Sequence, residues 1–185
     1  DKPAHILDIA TGTGDMAIMA AKLIDPQQIT GIDISAKMLE FGRKKVEKEG
    51  LGDKIQLHLG DSETINFADN TFDGGMVAFG VRNFEHLEKG LSEIMHVLKP
   101  GAQLVILEFS KPRQPVRSLY NFYMNVLAPQ VARLFRQNKK AYQYLKESAD
   151  AFPERNELVG ILNKTGYSDT RFQSLSLGIC CIYTG

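Results

Sequence analysis

Cysteine, net charge and long apolar runs are all scarce in this sequence. Its 22 basic side chains are balanced by 22 acidic ones, so no positive field of the whole molecule directs it to nucleic acid. No apolar run approaches the roughly 18–20 residues that span a bilayer, and no signal peptide precedes the first predicted strand. We therefore expect a cytoplasmic protein that has no nucleic-acid partner.

The two cysteines, Cys180 and Cys181, are neighbours near the end of the chain. Adjacent side chains on a strand point to opposite faces, which disfavours a disulfide between them. We interpret both as reduced core residues, as is usual in a cytosolic protein. No Cys/His cluster has the spacing of metal ligands, so no metal site is predicted.

Short apolar runs alternate with helical patterns along the 185 residues, which form one predicted domain. This alternation predicts a doubly wound α/β sandwich, with a mostly parallel seven-stranded sheet and an antiparallel C-terminal hairpin. The predicted strands are residues 6–9, 29–34, 55–59, 72–79, 102–109, 167–174 and 178–183. The predicted helices are residues 15–24, 36–49, 87–98 and 153–164. Ser35 is the predicted cap of the second helix, and Pro100-Gly101 stops the third. Pro153 opens the fourth helix, and Gly166 stops it. Residues 111–150 break the pattern and are predicted to form a helical insertion.

A glycine-rich turn, Gly12-Thr13-Gly14, joins the first predicted strand to the first helix. Glycine lets the backbone approach a ligand closely, and a helix start presents free N–H groups. Asp33 ends the next strand, where its carboxylate can accept both hydroxyls of a ribose. The same pattern, continued to Ala17, also fits the dinucleotide site of an NAD(P)-dependent oxidoreductase, so the turn alone leaves both alternatives open.

Three further features favour S-adenosylmethionine over a nicotinamide cofactor. Asp61 and Ser62 end the third strand, where a carboxylate can accept from an adenine amino group. The string Phe-Ala-Asp-Asn-Thr-Phe-Asp at 67–73 leads into the fourth strand, and Leu-Lys-Pro-Gly at 98–101 precedes a long fifth strand before the hairpin. A dehydrogenase needs none of these in this order, whereas S-adenosylmethionine methyltransferases commonly show all of them.

More specific strings are Phe-Gly-Val-Arg-Asn at 79–83, Glu-Phe-Ser-Lys-Pro at 108–112 and Asp-Ile-Ser-Ala-Lys-Met-Leu at 33–39. With them the chain resembles the ubiquinone/menaquinone biosynthesis C-methyltransferases over nearly its full length. The resemblance implies C-methylation of a prenylated hydroquinone, with demethylmenaquinol to menaquinol as the first interpretation. The equivalent ubiquinone-pathway reaction, or methylation of another lipid-like small molecule, is the alternative. Thr11 and Ala78 depart from the family, which usually has glycine and serine there.

The resemblance also implies residue roles. Thr13 contacts the cofactor at the turn, Asp33 holds the ribose, and the backbone of Ala78 lies near the methionine moiety. The implied cofactor residues are Gly12, Thr13, Gly14, Asp33, Asp61, Ser62 and Ala78. The catalytic candidates are Arg82 and Asn83, which follow the fourth strand at the edge where open sheets bind ligands; Arg82 is expected to stabilise an oxyanion on the ring.

For four other side chains the sequence allows either a functional or a structural role. Asp8 either acts through an ordered water or stabilises the turn. His86 is interpreted as a helix-start residue rather than a base. Tyr142 and Tyr144 either orient a phenolic oxygen or pack.

Residues 111–140 carry seven basic side chains and no acid, interleaved with apolar ones. This is either an ordinary amphipathic cap or an entrance for a prenyl tail that contacts an anionic membrane surface. Family members carry a further segment ahead of this start, which includes helices that help to cover the substrate. A non-catalytic binding module therefore stays an alternative for this chain, and its oligomeric state is open, with a homodimer as one possibility.

Overall fold

The computed structural model describes residues 3–112, 144 and 147–185. Its strands are β1 His5–Ile9, β2 Gln28–Asp33, β3 Ile55–Leu59, β4 Phe72–Ala78, β5 Leu98–Phe109, β6 Arg171–Leu175 and β7 Cys180–Thr184. Four α-helices with both ends among the described residues are α1 Asp15–Leu23, α2 Ala36–Lys48, α3 Leu87–Val97 and α4 Asn156–Thr165, and residues 147–151 are helical as well. Short 3-10 turns lie at Val81–Asn83 and Ser176–Gly178. The larger part of the predicted insertion, with Tyr142, lies outside the described residues.

The seven strands form one sheet in the order β3-β2-β1-β4-β5-β7-β6. Strands β1 to β5 are parallel, whereas β7 runs antiparallel to both β5 and β6. The predicted fold is therefore confirmed, including the antiparallel hairpin. The strand order reverses between β1 and β4, and the carboxyl ends of these two strands open the crevice where such sheets bind ligands.

Both faces of the sheet are covered, which explains why β1 is almost continuously apolar. Ile6 packs with α1 and α2 on one face, while Leu7 and Ile9 pack with α3 and α4 on the other. Alternation along the strand sends the even and odd positions to opposite cores. Each fully buried side chain of this kind contributes about 1.5–3 kcal/mol, so the two cores rigidly fix the strand that leads into the glycine turn.

Three predicted boundaries were wrong, those at the start of β5, of α4 and of β6. Strand β5 begins at Leu98 rather than at residue 102, because Leu98 already pairs with Phe72 and a register shift follows before Gly74. The helix predicted from Pro153 begins only at Asn156. Arg155 has a φ of 57°, and its N–H donates to the Tyr183 hydroxyl over 2.8 Å, so this stretch is held to β7 instead of joining the helix.

The closing strands differ in a similar way, since β6 starts at Arg171 rather than at 167. Tyr167 is buried, and its hydroxyl donates to the Leu91 carbonyl of α3 over 2.9 Å. The predicted caps Ser35 and Gly166 are confirmed: the Ser35 hydroxyl accepts from an N–H of α2, and Gly166 ends α4 in a left-handed conformation. Within the described ranges, every helix is too short or too polar to cross a bilayer.

Candidate active site

A polar cleft of about 810 Å³ opens at the carboxyl ends of β1 and β4. Eight of the nine predicted site residues line it: Gly12, Thr13, Asp33, Asp61, Ser62, Ala78, Arg82 and Asn83. Gly14 lies behind the turn, where a Cβ would stand 3.5 Å from Leu57 and 3.9 Å from Val46. Its φ of 74° at the N-cap of α1 is the conformation that glycine supplies without steric cost.

A second groove, of about 790 Å³, lies between α1 and the strands β1, β4 and β5. Its walls are mostly apolar, and the carboxylate of Asp73 in it is already bonded to Lys99 and to the N–H of His5. A binding site for a polar ligand needs several convergent polar groups. The cleft at the glycine turn has them, and it is therefore the candidate active site.

Asp33 organises the glycine turn. Its two carboxylate oxygens accept from the N–H groups of Gly12 and Ser35, each over 2.8 Å. A carboxylate offers about four acceptor positions, so lone pairs remain for the two hydroxyls of a ribose. Gly12 has a φ of 57°, and a Cβ there would stand 3.0 Å from the Met38 side chain. A side chain at Gly12 would therefore crowd Met38, and the free acceptor positions of Asp33 beside the turn fit the ribose of an adenosyl group.

The Thr13 hydroxyl is committed elsewhere. It donates to Asp15 over 2.7 Å and accepts from the ammonium of Lys45 over 3.0 Å. Lys45 also bonds the Asp15 carboxylate at 2.8 Å, so this cluster ties α2 to the start of α1. The hydroxyl is therefore not free to bind a ligand. If Thr13 contacts the cofactor, as the resemblance implies, the contact comes from its backbone.

Asp8 lies beneath the same turn, with 1% of its surface exposed. It accepts from the Thr11 hydroxyl over 2.5 Å. Burial raises the pKa of Asp8 to about 7, with the negative charge of Asp33 as a smaller contribution in the same direction. This geometry supports the turn-stabilising alternative for Asp8, with Thr11 supplying the hydrogen bond.

We expect Asp8→Asn to stabilise the protein increasingly as the pH rises. The folded protein binds the Asp8 proton more tightly than the unfolded chain, in which the pKa of Asp8 is near 3.8. The protonated carboxyl therefore contributes fully to the free energy of unfolding below pH 3.8, and this contribution is lost as the pH rises to about 7. Asparagine does not titrate, and the difference in unfolding free energy between variant and parent should grow by about 2–3 kcal/mol from pH 5 to pH 8. Urea unfolding at both pH values measures it.

Asp15→Asn is the matched control for this experiment. The hydrogen bond from Lys45 holds the pKa of Asp15 below its ordinary value, so this group stays ionised in both states from pH 5 to pH 8. Its substitution should leave the pH dependence unchanged over that interval. Parallel pH curves for Asp8→Asn and the parent would contradict the titration assigned to Asp8.

The loop after β3 is fastened to the start of α3 by Glu63, a residue that the sequence analysis missed. Asp61 accepts from the Glu63 N–H over 2.9 Å, which turns the chain. The buried Glu63 carboxylate accepts from the His86 N–H over 2.8 Å and lies 3.0 Å from His86 Nδ1. The N–H donated by His86 holds the pKa of Glu63 below its ordinary value. His86 is the N-cap of α3, so its interpretation as a helix-start residue is confirmed.

Arg82 lies in the 3-10 turn after β4 and pairs with Glu108, which the sequence analysis did not single out. Arg82 Nη1 donates to Glu108 Oε1 over 2.8 Å and also to the Phe79 carbonyl. The guanidinium carbon lies 5.3 Å from the centre of the Phe109 ring, in cation–π contact. Glu108 has no exposed surface, and burial raises its pKa despite the donors around it. The one signal in the sequence was a charged residue within a central apolar strand.

Asn83 follows Arg82 and is exposed at the mouth of the cleft. Its side-chain carbonyl accepts from the hydroxyl of Tyr144 over 2.9 Å. The hydrogen bond leaves the Asn83 amide as a donor, and it brings Tyr144 to the catalytic candidates. Within the described ranges, no group of three or more His, Cys, Asp and Glu side chains is arranged to hold a metal ion.

The profile of the ubiE/COQ5 methyltransferase family matches residues 1–185. The chain belongs to this family. Membership confirms the family predicted from the sequence strings, the methyltransferase class and, with it, S-adenosylmethionine as the methyl donor. The oxidoreductase alternative is thereby set aside.

Members of the ubiE/COQ5 family are among the chain's close relatives. A demethylmenaquinone methyltransferase of Bacteroides fragilis is 44% identical over 184 residues, which covers 99% of this chain and 75% of the relative. A ubiquinone/menaquinone biosynthesis C-methyltransferase of Geotalea daltonii is 41% identical over 183 residues, which covers 98% of this chain and 77% of the relative. A crystal structure of a SAM dependent methyltransferase from Aquifex aeolicus shares the fold, with a TM-score of 0.69 at 21% identity over 98% of this chain and 80% of its own.

Proposed function

We propose that this protein methylates a ring carbon of a prenylated hydroquinone, converting demethylmenaquinol to menaquinol. The observation that carries the proposal is the convergence of two sets of residues in one cleft: Gly12 and Asp33 for an adenosyl group, and Arg82 and Asn83 beside them for the ring. The names of the family relatives support this substrate class. The equivalent ubiquinone-pathway reaction is the second candidate, because relatives with the double name are nearly as similar.

In this proposal Asp33 holds the ribose, while Asp61 and Ser62 contact the adenine. The backbones of Gly12, Thr13 and Ala78 approach the rest of the cofactor. When bound, S-adenosylmethionine supplies a methyl group on a sulfonium, which is already a strong electrophile. The protein therefore has to align the acceptor ring with that methyl group and exclude water.

The proposed catalytic groups act on the ring oxygen. Methyl transfer would form a carbon–carbon bond and break the carbon–sulfur bond, whose electron pair would stay on the sulfur of S-adenosylhomocysteine. The same ring carbon would then give its proton to water, which restores the aromatic ring. The ring carbon is most nucleophilic when the neighbouring hydroxyl has lost its proton. Arg82 stabilises the negative oxygen that results, and the Asn83 amide donates to it. Tyr144 orients that amide through its 2.9 Å hydrogen bond.

The deciding experiment measures transfer of a labelled methyl group from S-adenosylmethionine to demethylmenaquinol. The ubiquinone-pathway precursor and a prenylated phenol without the quinol ring are offered in parallel. Transfer to demethylmenaquinol at the highest kcat/KM supports the first candidate, and preference for the ubiquinone precursor supports the second. Binding of S-adenosylhomocysteine without transfer to either quinol would contradict the proposed substrate.

We also propose that residues 111–140 contact an anionic membrane surface, where a prenylated substrate resides. Their seven basic side chains without an acid support this, since each basic residue near such a surface contributes about 1 kcal/mol. Vesicles that contain anionic lipid should sediment with the protein, and added salt should release it. The double substitution Lys139→Gln and Lys140→Gln should weaken the binding severalfold.

Sedimentation that depends on neither anionic lipid nor salt would contradict this contact.

A homodimer is the proposed oligomeric state, and light scattering tests it. A monomeric mass at micromolar concentration would exclude it.

A further inference from the structure

Glu108 lies near the carboxyl end of β5, an interior strand of the sheet, yet it is a charged residue with no exposed surface. Its carboxylate accepts from Arg82 Nη1 over 2.8 Å, from the Arg82 N–H over 3.3 Å and from the Phe109 N–H over 2.8 Å. Taking a carboxylate out of water is costly unless a cation and hydrogen bonds compensate. The 81–83 turn supplies both, so Glu108 fixes the backbone and the side chain of Arg82 together.

The guanidinium of Arg82 is largely buried and is hydrogen-bonded, as the carboxylate of Glu108 is. Its side chain is only 10% exposed, and Nη1 is bonded to Glu108 and to the Phe79 carbonyl. Arg82 Nε is buried and has no partner among the described residues. Arg82 nevertheless lines the cleft, so a permanent positive charge lies beside the space that the cofactor is to occupy.

That charge conflicts with the proposed function, on which this inference rests. S-adenosylmethionine carries a positive sulfonium, and an uncompensated guanidinium in the same cleft would repel it. Among the other acids of the cleft, Asp33 binds the N–H groups of Gly12 and Ser35, and Glu63 binds His86. Glu85 lines the cleft as well and is exposed to solvent, which screens its charge. Within the described ranges, Glu108 is the carboxylate that contacts Arg82.

We propose that Glu108 is a positioning residue that aims Arg82 and cancels its charge, so that one cleft accepts a cationic cofactor beside a catalytic arginine. Two consequences are separable. The position of Arg82 sets the turnover number, whereas the cancelled charge sets the preference for S-adenosylmethionine over S-adenosylhomocysteine. These two ligands differ by one methyl group and one positive charge on sulfur, so their affinity ratio reports the charge of the cleft.

Two single variants separate the charge from the geometry. Glu108→Gln keeps the size of the side chain and removes its charge, and it should lower the affinity ratio of S-adenosylmethionine to S-adenosylhomocysteine by about tenfold. Glu108→Asp keeps the charge and shortens the side chain by one methylene. It should leave that ratio within about twofold and lower kcat by about tenfold or more. Calorimetric titration of the full chain with each ligand gives the ratios.

The double variant Arg82→Gln, Glu108→Gln is the internal control. It removes both charges, so the affinity ratio should return to that of the parent while turnover stays low. A ratio that is unchanged in Glu108→Gln, or that stays low in the double variant, would overturn the inference. So would loss of folding in both single variants, which would show that Glu108 serves only the fold.

Failure of the proposed function is distinguishable from failure of this inference. A parent protein that binds neither ligand would contradict the assignment of the cleft itself. A parent that binds both ligands, with variants that do not change their ratio, would contradict only the role of Glu108.

Discussion

Asp33→Ala should weaken the binding of S-adenosylmethionine by about a hundredfold or more. Two hydrogen bonds from ribose hydroxyls to an ionised carboxylate are lost, and each contributes about 1.5–3 kcal/mol. The N–H groups of Gly12 and Ser35 lose their acceptor as well, since both donate to this carboxylate over 2.8 Å. The glycine turn is thereby released at the same time as the ribose, so the two losses reinforce each other.

Calorimetry of the parent and the variant measures the effect on the dissociation constant. Asp53→Ala is the control, because Asp53 is an exposed acid between α2 and β3 that does not line the cleft. It should leave the affinity unchanged. The affinity of Asp33→Asn for S-adenosylmethionine should lie between those of Asp33→Ala and Asp53→Ala, since the amide oxygen can still accept from one N–H. Unchanged affinity in Asp33→Ala would show that the ribose is held elsewhere.

The position of the glycine turn and Asp33 in this cleft was predictable because its signals are local. A strand, a glycine turn and a helix follow each other within residues 5–23, and Asp33 ends the next strand. Parallel strands bring their carboxyl ends to one edge, so the position of Asp33 beside Gly12 follows from topology alone. The seven-stranded sheet was predictable for the same reason, since alternation along each strand does not depend on distant partners.

The contacts that the sequence did not predict join residues far apart in the chain. Arg82 and Glu108 are separated by 26 positions, and their contact depends on the register between β4 and β5. Glu63 and His86 are separated by 23 positions. The hydrogen bond from Lys45 to the Thr13 hydroxyl depends on the packing of α2 against the turn. Each is set by tertiary packing, which no spacing rule contains.

The wrong boundaries have the same origin. Pro153 has the local character of a helix start, but Arg155 is bonded to the Tyr183 hydroxyl of β7, and the helix forms only after that contact. At Pro100-Gly101 the local signal for a stop is real, yet the pairing of Leu98 with Phe72 already places this stretch in β5. Tertiary hydrogen bonds outweigh a local preference of about 1 kcal/mol.

Arg82→Ala should lower kcat by about a hundredfold to a thousandfold, because it removes the donor proposed for the ring oxyanion. Its effect on the affinity for S-adenosylmethionine should stay within about threefold, and the reason is Glu108. Burial already raises the pKa of the Glu108 carboxyl, and loss of the guanidinium removes a positive charge that lowers it, so both effects favour the neutral form of the carboxyl. The net charge of the Arg82–Glu108 position therefore changes little in the variant, because the two charges already cancel in the parent.

The measurement pairs initial rates on the quinol with calorimetry of the cofactor. Removing one partner of a buried ion pair costs about 3–5 kcal/mol of stability, so a thermal melt must first show that Arg82→Ala is folded at the assay temperature. Lys89→Ala, an exposed position on α3, is the control for surface effects and should change neither kcat nor affinity. If the Arg82 variant turned over at the parent rate, the oxyanion would have to be stabilised by another group, and Asn83, held by Tyr144, would be the residue to replace next.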